Sequence, residues 1–172
     1  FDDVRYQVTP HNTFFSVDSP EAYWNTGRVE EGGNMGYKVP IKGGYFPVSP
    51  ADKYADVRDE MSRLLEEVGL IIERAHHEVG SGGQQEINYR FATLQTAADD
   101  MMKFKYVIKN SALEFGHSAT FMPKPLFGDN GSGMHTHISL WKNGEPLFYD
   151  ERGYGSLSDT ARWFIGGLLE HA

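Results

Sequence analysis

Apolar residues at Val57, Met61, Leu64, Leu65 and Val68 keep helical spacing, and Gly69 follows as a stop. Ser49, Pro50 and Asp52 stand ahead of this run in a capping-box-like pattern, which predicts a helix from about residue 50. Residues 70–79 and 84–91 read as two strands, joined through the turn Gly80-Ser81-Gly82-Gly83. Residues 97–115 form a second amphipathic helix closed by Gly116, with Leu64, Leu65, Met101 and Met102 as packing positions. Short strands are expected at Phe14, Phe15 and Val17, at residues 118–122, and at residues 135–141. The last of these turns at Asn143-Gly144 and returns over residues 146–149. Residues 30–36, 42–50 and 127–133 are Gly- or Pro-rich loops, and residues 157–172 are helical.

Helices interleaved with hairpins make an α+β fold, mainly antiparallel, over a single domain of residues 1–172. The chain starts at Phe1 without Met, and its last helix has no stop signal, so both ends are expected to be cut points.

Composition narrows the function. With no cysteine, disulfides and thiolate metal sites are excluded, which fits a cytoplasmic protein. No apolar run is long enough to span a bilayer, so no membrane role is expected. A net charge of −8 without a basic cluster argues against nucleic acid as a partner. Carboxylates reserved for a cation could supply part of that excess, and a solubilising surface the rest.

The hairpin gives the acidic excess a location. If the loop is residues 81–83, Glu78 lies opposite Glu86 with Cβ atoms about 5 Å apart. His76 and Asn88 share the face by period-2 alternation. Two opposed carboxylates repel unless a divalent cation such as Mg²⁺ or Mn²⁺ lies between them. An exposed edge with scattered charges fits the hairpin alone equally well.

Downstream, KPLFGDNGSGMHTHIS spans residues 124–139. Its glycines at 128, 131 and 133 leave backbone N–H groups open to an anionic or carbonyl oxygen. His135, His137 and Ser139 alternate onto one face, a pattern that can serve a metal and a phosphate together; the alternative is a Gly-rich turn that simply feeds a hairpin, which this alternation weakens. Neither a Walker loop nor a dinucleotide fingerprint is present.

KGGYFP at 42–47, HHEVGSGGQQEI at 76–87 and the run at 124–139 occur in that order. Together they resemble the bacterial type I glutamine synthetases. The resemblance implies a partial catalytic domain, an incomplete antiparallel barrel with flanking helices. The N-terminal β-grasp domain and the C-terminal part of the catalytic domain lie outside the chain. It implies Glu78 and Glu86 as ligands of one metal and His135 as a ligand of a second. Asn130 and Gly131 would hold glutamate. Glu73, His76, Phe91, His137 and Ser139 would line the ATP site. Two or more Mg²⁺ or Mn²⁺ ions, ATP, glutamate and ammonium are then the expected cofactors and substrates, in a dodecameric homo-oligomer.

The implied reaction makes glutamine through γ-glutamyl phosphate. With much of the site outside it, the chain alone is expected to be inactive. Two alternatives share the motifs. One is a ligase joining glutamate to a polyamine or another amine. The other is a non-catalytic structural homologue, which the retained Glu78, Glu86 and His135 disfavour.

Overall fold

The structure, a computed structural model, describes residues 1–171. It divides into two compact units, Phe1–Gly133 and Met134–Ala172.

In the first unit, β1 (Asp3–Val8) and β2 (Thr13–Asp18) form an antiparallel hairpin. Its turn is closed by Thr9 N–H to the Asn12 carbonyl at 2.8 Å, and the Thr9 hydroxyl accepts from Asn12 N–H at 2.9 Å. Helix α1 (Ala55–Glu67) leads through Gly69, at φ +98°, into β3 (Ile72–His77). β3 pairs antiparallel with β4 (Gln85–Tyr89), and α2 (Leu94–Glu114) follows. The core lies where α1, α2 and the β3–β4 hairpin meet: Met61, Leu65, Leu70, Ile108 and Ala112 are buried, with Ile72, Ile87, Tyr89 and Phe104 packed against them. Helical spacing on α1 and period-2 alternation on the hairpin thus point their apolar positions at one another.

Leu65 is fully buried at the centre of this cluster. Leu65→Ala is expected to destabilise the first unit by about 3 kcal/mol, lowering its thermal midpoint by roughly 9 °C, as read by circular dichroism. An unchanged midpoint would place the core elsewhere.

In the second unit, β5 (Trp141–Lys142) and β6 (Glu145–Pro146) flank the Asn143-Gly144 turn, with φ +53° and +83° as a mirror-image hairpin turn requires. Helix α3 (Asp159–His171) starts after Ser158, whose hydroxyl accepts from Ala161 N–H at 3.1 Å. Phe148 and Phe164 pack with ring centroids 5.2 Å apart.

Several expectations are corrected. Helix α1 begins at Ala55, not near Pro50, and no side chain caps it. Asp52 is instead turned inward to Arg58 at 2.7 Å and accepts from Tyr54 N–H. Residues 118–122 and 135–140 form no strand: backbone pairing among the described residues is limited to Ser118 with Phe1 in the one stretch and Leu140 with Leu147 in the other, too little for a ladder. A strand not expected from the sequence, β1, occupies DVRYQV and pairs with the expected one around Phe14 to Val17. Met102 is largely exposed, at 72%, not core. The three ladders are two-stranded and unjoined among the described residues, so the antiparallel content is smaller than expected. The helical expectation at Ala172 lies outside the described residues.

Candidate functional site

The β3–β4 hairpin carries the site. Its register pairs His76 with Glu86 and His77 with Gln85, and Glu78 N–H donates to the Gln84 carbonyl at 2.8 Å. The loop is therefore residues 79–83, and Glu78 is not directly opposite Glu86. The expected register is corrected by two residues. The cause is Ser81, which turns inward and lengthens the loop. A slip of two preserves the alternation, so His76, Glu78 and Glu86 still share one face.

One ligand atom from each of these three residues lies within 4.8 Å of the other two. His76 is buried and its ring stacks on Phe46, with centroids 4.4 Å apart. Its Nδ1 is 3.1 Å from the His77 carbonyl, which only accepts, so Nδ1 donates there and Nε2 is the ring nitrogen left to face a ligand. Nε2 stands 3.9 Å from the Glu86 carboxylate. Glu78 Oε2 accepts from Val79 N–H at 2.7 Å, and Glu86 Oε1 accepts from Asn88 Nδ2 at 2.8 Å. The second oxygen of each carboxylate has no protein hydrogen bond among the described residues. Two free carboxylate oxygens and one imidazole suit a divalent cation.

The hairpin tip is fastened to the loop that bears Asn130 and Gly131. Asp129 is buried, and its Oδ2 accepts from Ser81 N–H at 2.8 Å and from the Ser81 hydroxyl at 2.6 Å. Its Oδ1 accepts from Asn130 N–H at 2.8 Å. Burial pushes the Asp129 carboxyl up, but the hydrogen bonds from Ser81 and Asn130 outweigh this and hold it below the ordinary carboxylate range. The Gln84 amide adds a second fastening: its oxygen accepts from Gly80 N–H at 2.7 Å and its nitrogen donates to the Gly131 carbonyl at 2.8 Å.

Beneath the hairpin lie buried charges. His77 Nε2 pairs with the Glu21 carboxylate, and both side chains are fully enclosed. Burial pulls the His77 imidazole down, but Glu21 more than compensates, so its affinity for a proton is raised. Arg58 holds Asp52 and contacts the Gln85 amide oxygen beside Glu86.

Within the first unit, Glu73 and Phe91 are not part of the cluster. Glu73 is exposed and paired with Arg90 at 3.1 Å, and Phe91 is 90% exposed. His135, His137 and Ser139 belong to the second unit, on the irregular stretch before β5, and all three are exposed. Sequence reasoning missed Glu21, Ser81, Gln84 and Asp129. Asp129 had a signal, an acid set between glycines. Glu21 had none, because its partner is 56 residues away.

The model of the glutamine synthetase catalytic domain matches residues 1–172. Glutamine synthetase of Frankia alni is 62% identical over the whole chain, which covers 36% of that protein. That of Vibrio cholerae is 52% identical, again over all of this chain and 36% of the relative. Among solved structures, Plasmodium falciparum glutamine synthetase superposes with a TM-score of 0.84 at 34% identity, over 99% of this chain and 34% of that one. Apo GmaS gives 0.66 at 35% identity, over 74% of this chain and 30% of that one. The chain thus spans about a third of the length of these relatives. No helix among the described residues is long and apolar enough to cross a membrane. Placed beside the acidic face of the β3–β4 hairpin, the match over the full length of the chain assigns it to the glutamine synthetase catalytic-domain family.

Proposed function

We propose that the whole protein joins ammonia to glutamate at the expense of ATP, making glutamine through γ-glutamyl phosphate. The observation that carries this reading is the convergence of His76, Glu78 and Glu86 on one face, in a chain matched throughout by the family model. A divalent cation bound there supplies charge neutralisation to the phosphoryl transfer.

The chain's own residues divide the remaining work. Glu78 and Glu86 present one free carboxylate oxygen each and concentrate cationic substrate, ammonium included, by their negative field. His76, held by Phe46 and the His77 carbonyl, directs Nε2 into the same space. Asn130 and Gly131 offer polar backbone and an amide for the substrate glutamate, on a loop held in place by Asp129. His135 is proposed as a ligand of a second metal, and Glu73, Phe91, His137 and Ser139 as the surroundings of ATP. We read the two compact units as parts of one catalytic domain that is completed in the whole protein. A cytoplasmic dodecamer using Mg²⁺ or Mn²⁺ completes the reading.

The test is γ-glutamyl hydroxamate formation by the full-length protein with glutamate, ATP, Mn²⁺ and hydroxylamine, followed by an amine panel. Turnover that requires the divalent ion, with ammonium preferred over polyamines, is expected. A preference for a larger amine, or no turnover in a folded full-length protein, would sink the proposal.

A further inference from the structure

A fully enclosed Glu–His pair is expensive to desolvate, and a pair of this kind is poor evidence for stability alone. Its position suggests another role. Glu21 is held under the hairpin by Val39 N–H, which donates to its carbonyl at 2.7 Å, and by Lys53 N–H, 3.3 Å from its carboxylate. The carboxylate meets His77 Nε2. On the other side of the ring, Nδ1 lies 2.6 Å from the Glu78 carbonyl and 2.8 Å from the Gly44 carbonyl. Both are acceptors only, so Nδ1 carries a proton and donates.

The Glu78 carbonyl belongs to the peptide unit between residues 78 and 79. The N–H of that same unit donates to Glu78 Oε2 at 2.7 Å. A continuous chain of hydrogen bonds therefore runs from Glu21 through the His77 ring and across one peptide plane to the Glu78 carboxylate. Such chains polarise in series and hold each member in one orientation. Gly44 closes the arrangement from above: a Cβ there would stand 2.5 Å from the Glu78 carbonyl oxygen and 2.8 Å from the His77 ring, so only glycine admits this contact. Its N–H donates to the Val79 carbonyl at 3.0 Å, gripping the next peptide.

We propose that His77 is a positioning residue, its ring held in one orientation by Glu21, that aims the free oxygen of Glu78 at the cation by fixing the 78–79 peptide plane. The inference rests on the metal-site reading of the hairpin given above. Groups behind a metal ligand that fix its orientation characteristically change affinity 10- to 100-fold when removed.

Two paired substitutions separate positioning from mere support. Both carry Glu21→Gln, so that no charge is left buried alone. One adds His77→Asn, whose amide nitrogen falls where Nδ1 stands and can still donate to the Glu78 carbonyl. The other adds His77→Gln, whose amide reaches the Nε2 position and leaves that carbonyl unheld. Mn²⁺ is titrated into the full chain by calorimetry, with the Mn²⁺ electron paramagnetic resonance line shape followed in parallel. The His77→Asn pair should bind within about threefold of the unchanged chain. The His77→Gln pair should bind at least tenfold more weakly, with an altered line shape. Equal binding by both pairs, tight or weak, overturns the positioning role. If the His77→Gln pair does not fold, Glu21→Asp, which withdraws the carboxylate by one methylene, should weaken Mn²⁺ by threefold or more, and unchanged affinity overturns the proposal. Failure of the unchanged chain to bind Mn²⁺ would instead remove the metal-site reading, and this inference with it.

Discussion

Glu86→Gln should abolish the response of the hairpin to divalent cations while leaving the metal-free fold as stable as before, or slightly more so. The amide keeps the size of the carboxylate and an oxygen that accepts from Asn88, so the β3–β4 ladder has no reason to change. It removes one of two like charges on a shared face, a repulsion worth about 0.2–1 kcal/mol across a sheet. It also removes a charged oxygen from a site whose affinity depends on ligand charge. Mn²⁺ affinity should fall about 100-fold. At a Mn²⁺ concentration 100 times its dissociation constant, the unchanged protein gains about 2.7 kcal/mol from the ion, whereas the variant gains a few tenths. Thermal melts with and without Mn²⁺ therefore read opposite signs from one substitution. In the full-length protein, hydroxamate synthesis should drop by roughly two to three orders of magnitude. A variant that keeps the Mn²⁺-induced rise in melting temperature would show that the cation sits elsewhere.

Asp129→Ala should be the most damaging change outside the hydrophobic core, at about 4 kcal/mol. It strands three donors at once: Ser81 N–H, the Ser81 hydroxyl and Asn130 N–H. Ser81→Ala removes a single donor and leaves its own N–H bonded, so about 1 kcal/mol is expected. Because the two residues share a bond, Asp129→Ala should cost less in the Ser81→Ala background, and a double-mutant cycle by urea unfolding measures the coupling. The pH dependence has a definite sign. The folded protein holds this carboxyl below its unfolded value, so its contribution is complete above about pH 4 and is lost as pH falls through the lower, folded value. The gap in unfolding midpoint between Asp129→Ala and the unchanged protein should therefore be constant near neutrality and narrow below about pH 4. A gap independent of pH would mean that the carboxylate is not the anchor.

What could be read in advance followed from periodicity. The placing of Glu78 and Glu86 on one face survived a register error because side-chain direction repeats every two residues. Met61 and Leu65 were readable because one stripe of α1 is apolar. The loop length was not readable, since it depends on Ser81 reaching an aspartate 48 residues further on. The start of α1 failed for a similar reason: Asp52 satisfies Arg58 and Tyr54 instead of capping the helix. Residues 135–140 alternate as a strand does, yet alternation alone brings no facing strand, and their pairing begins only at Leu140, whose carbonyl accepts from Leu147 N–H.

The loop of residues 79–83 also constrains how this stretch of chain can vary. Insertion or deletion of one residue there would rotate Glu78 to the opposite face of the ladder from Glu86 and dissolve the pair without touching either glutamate. A change of two residues would restore the common face but move the Ser81 contact away from Asp129. Variation in loop length is thus filtered twice, once by parity and once by reach.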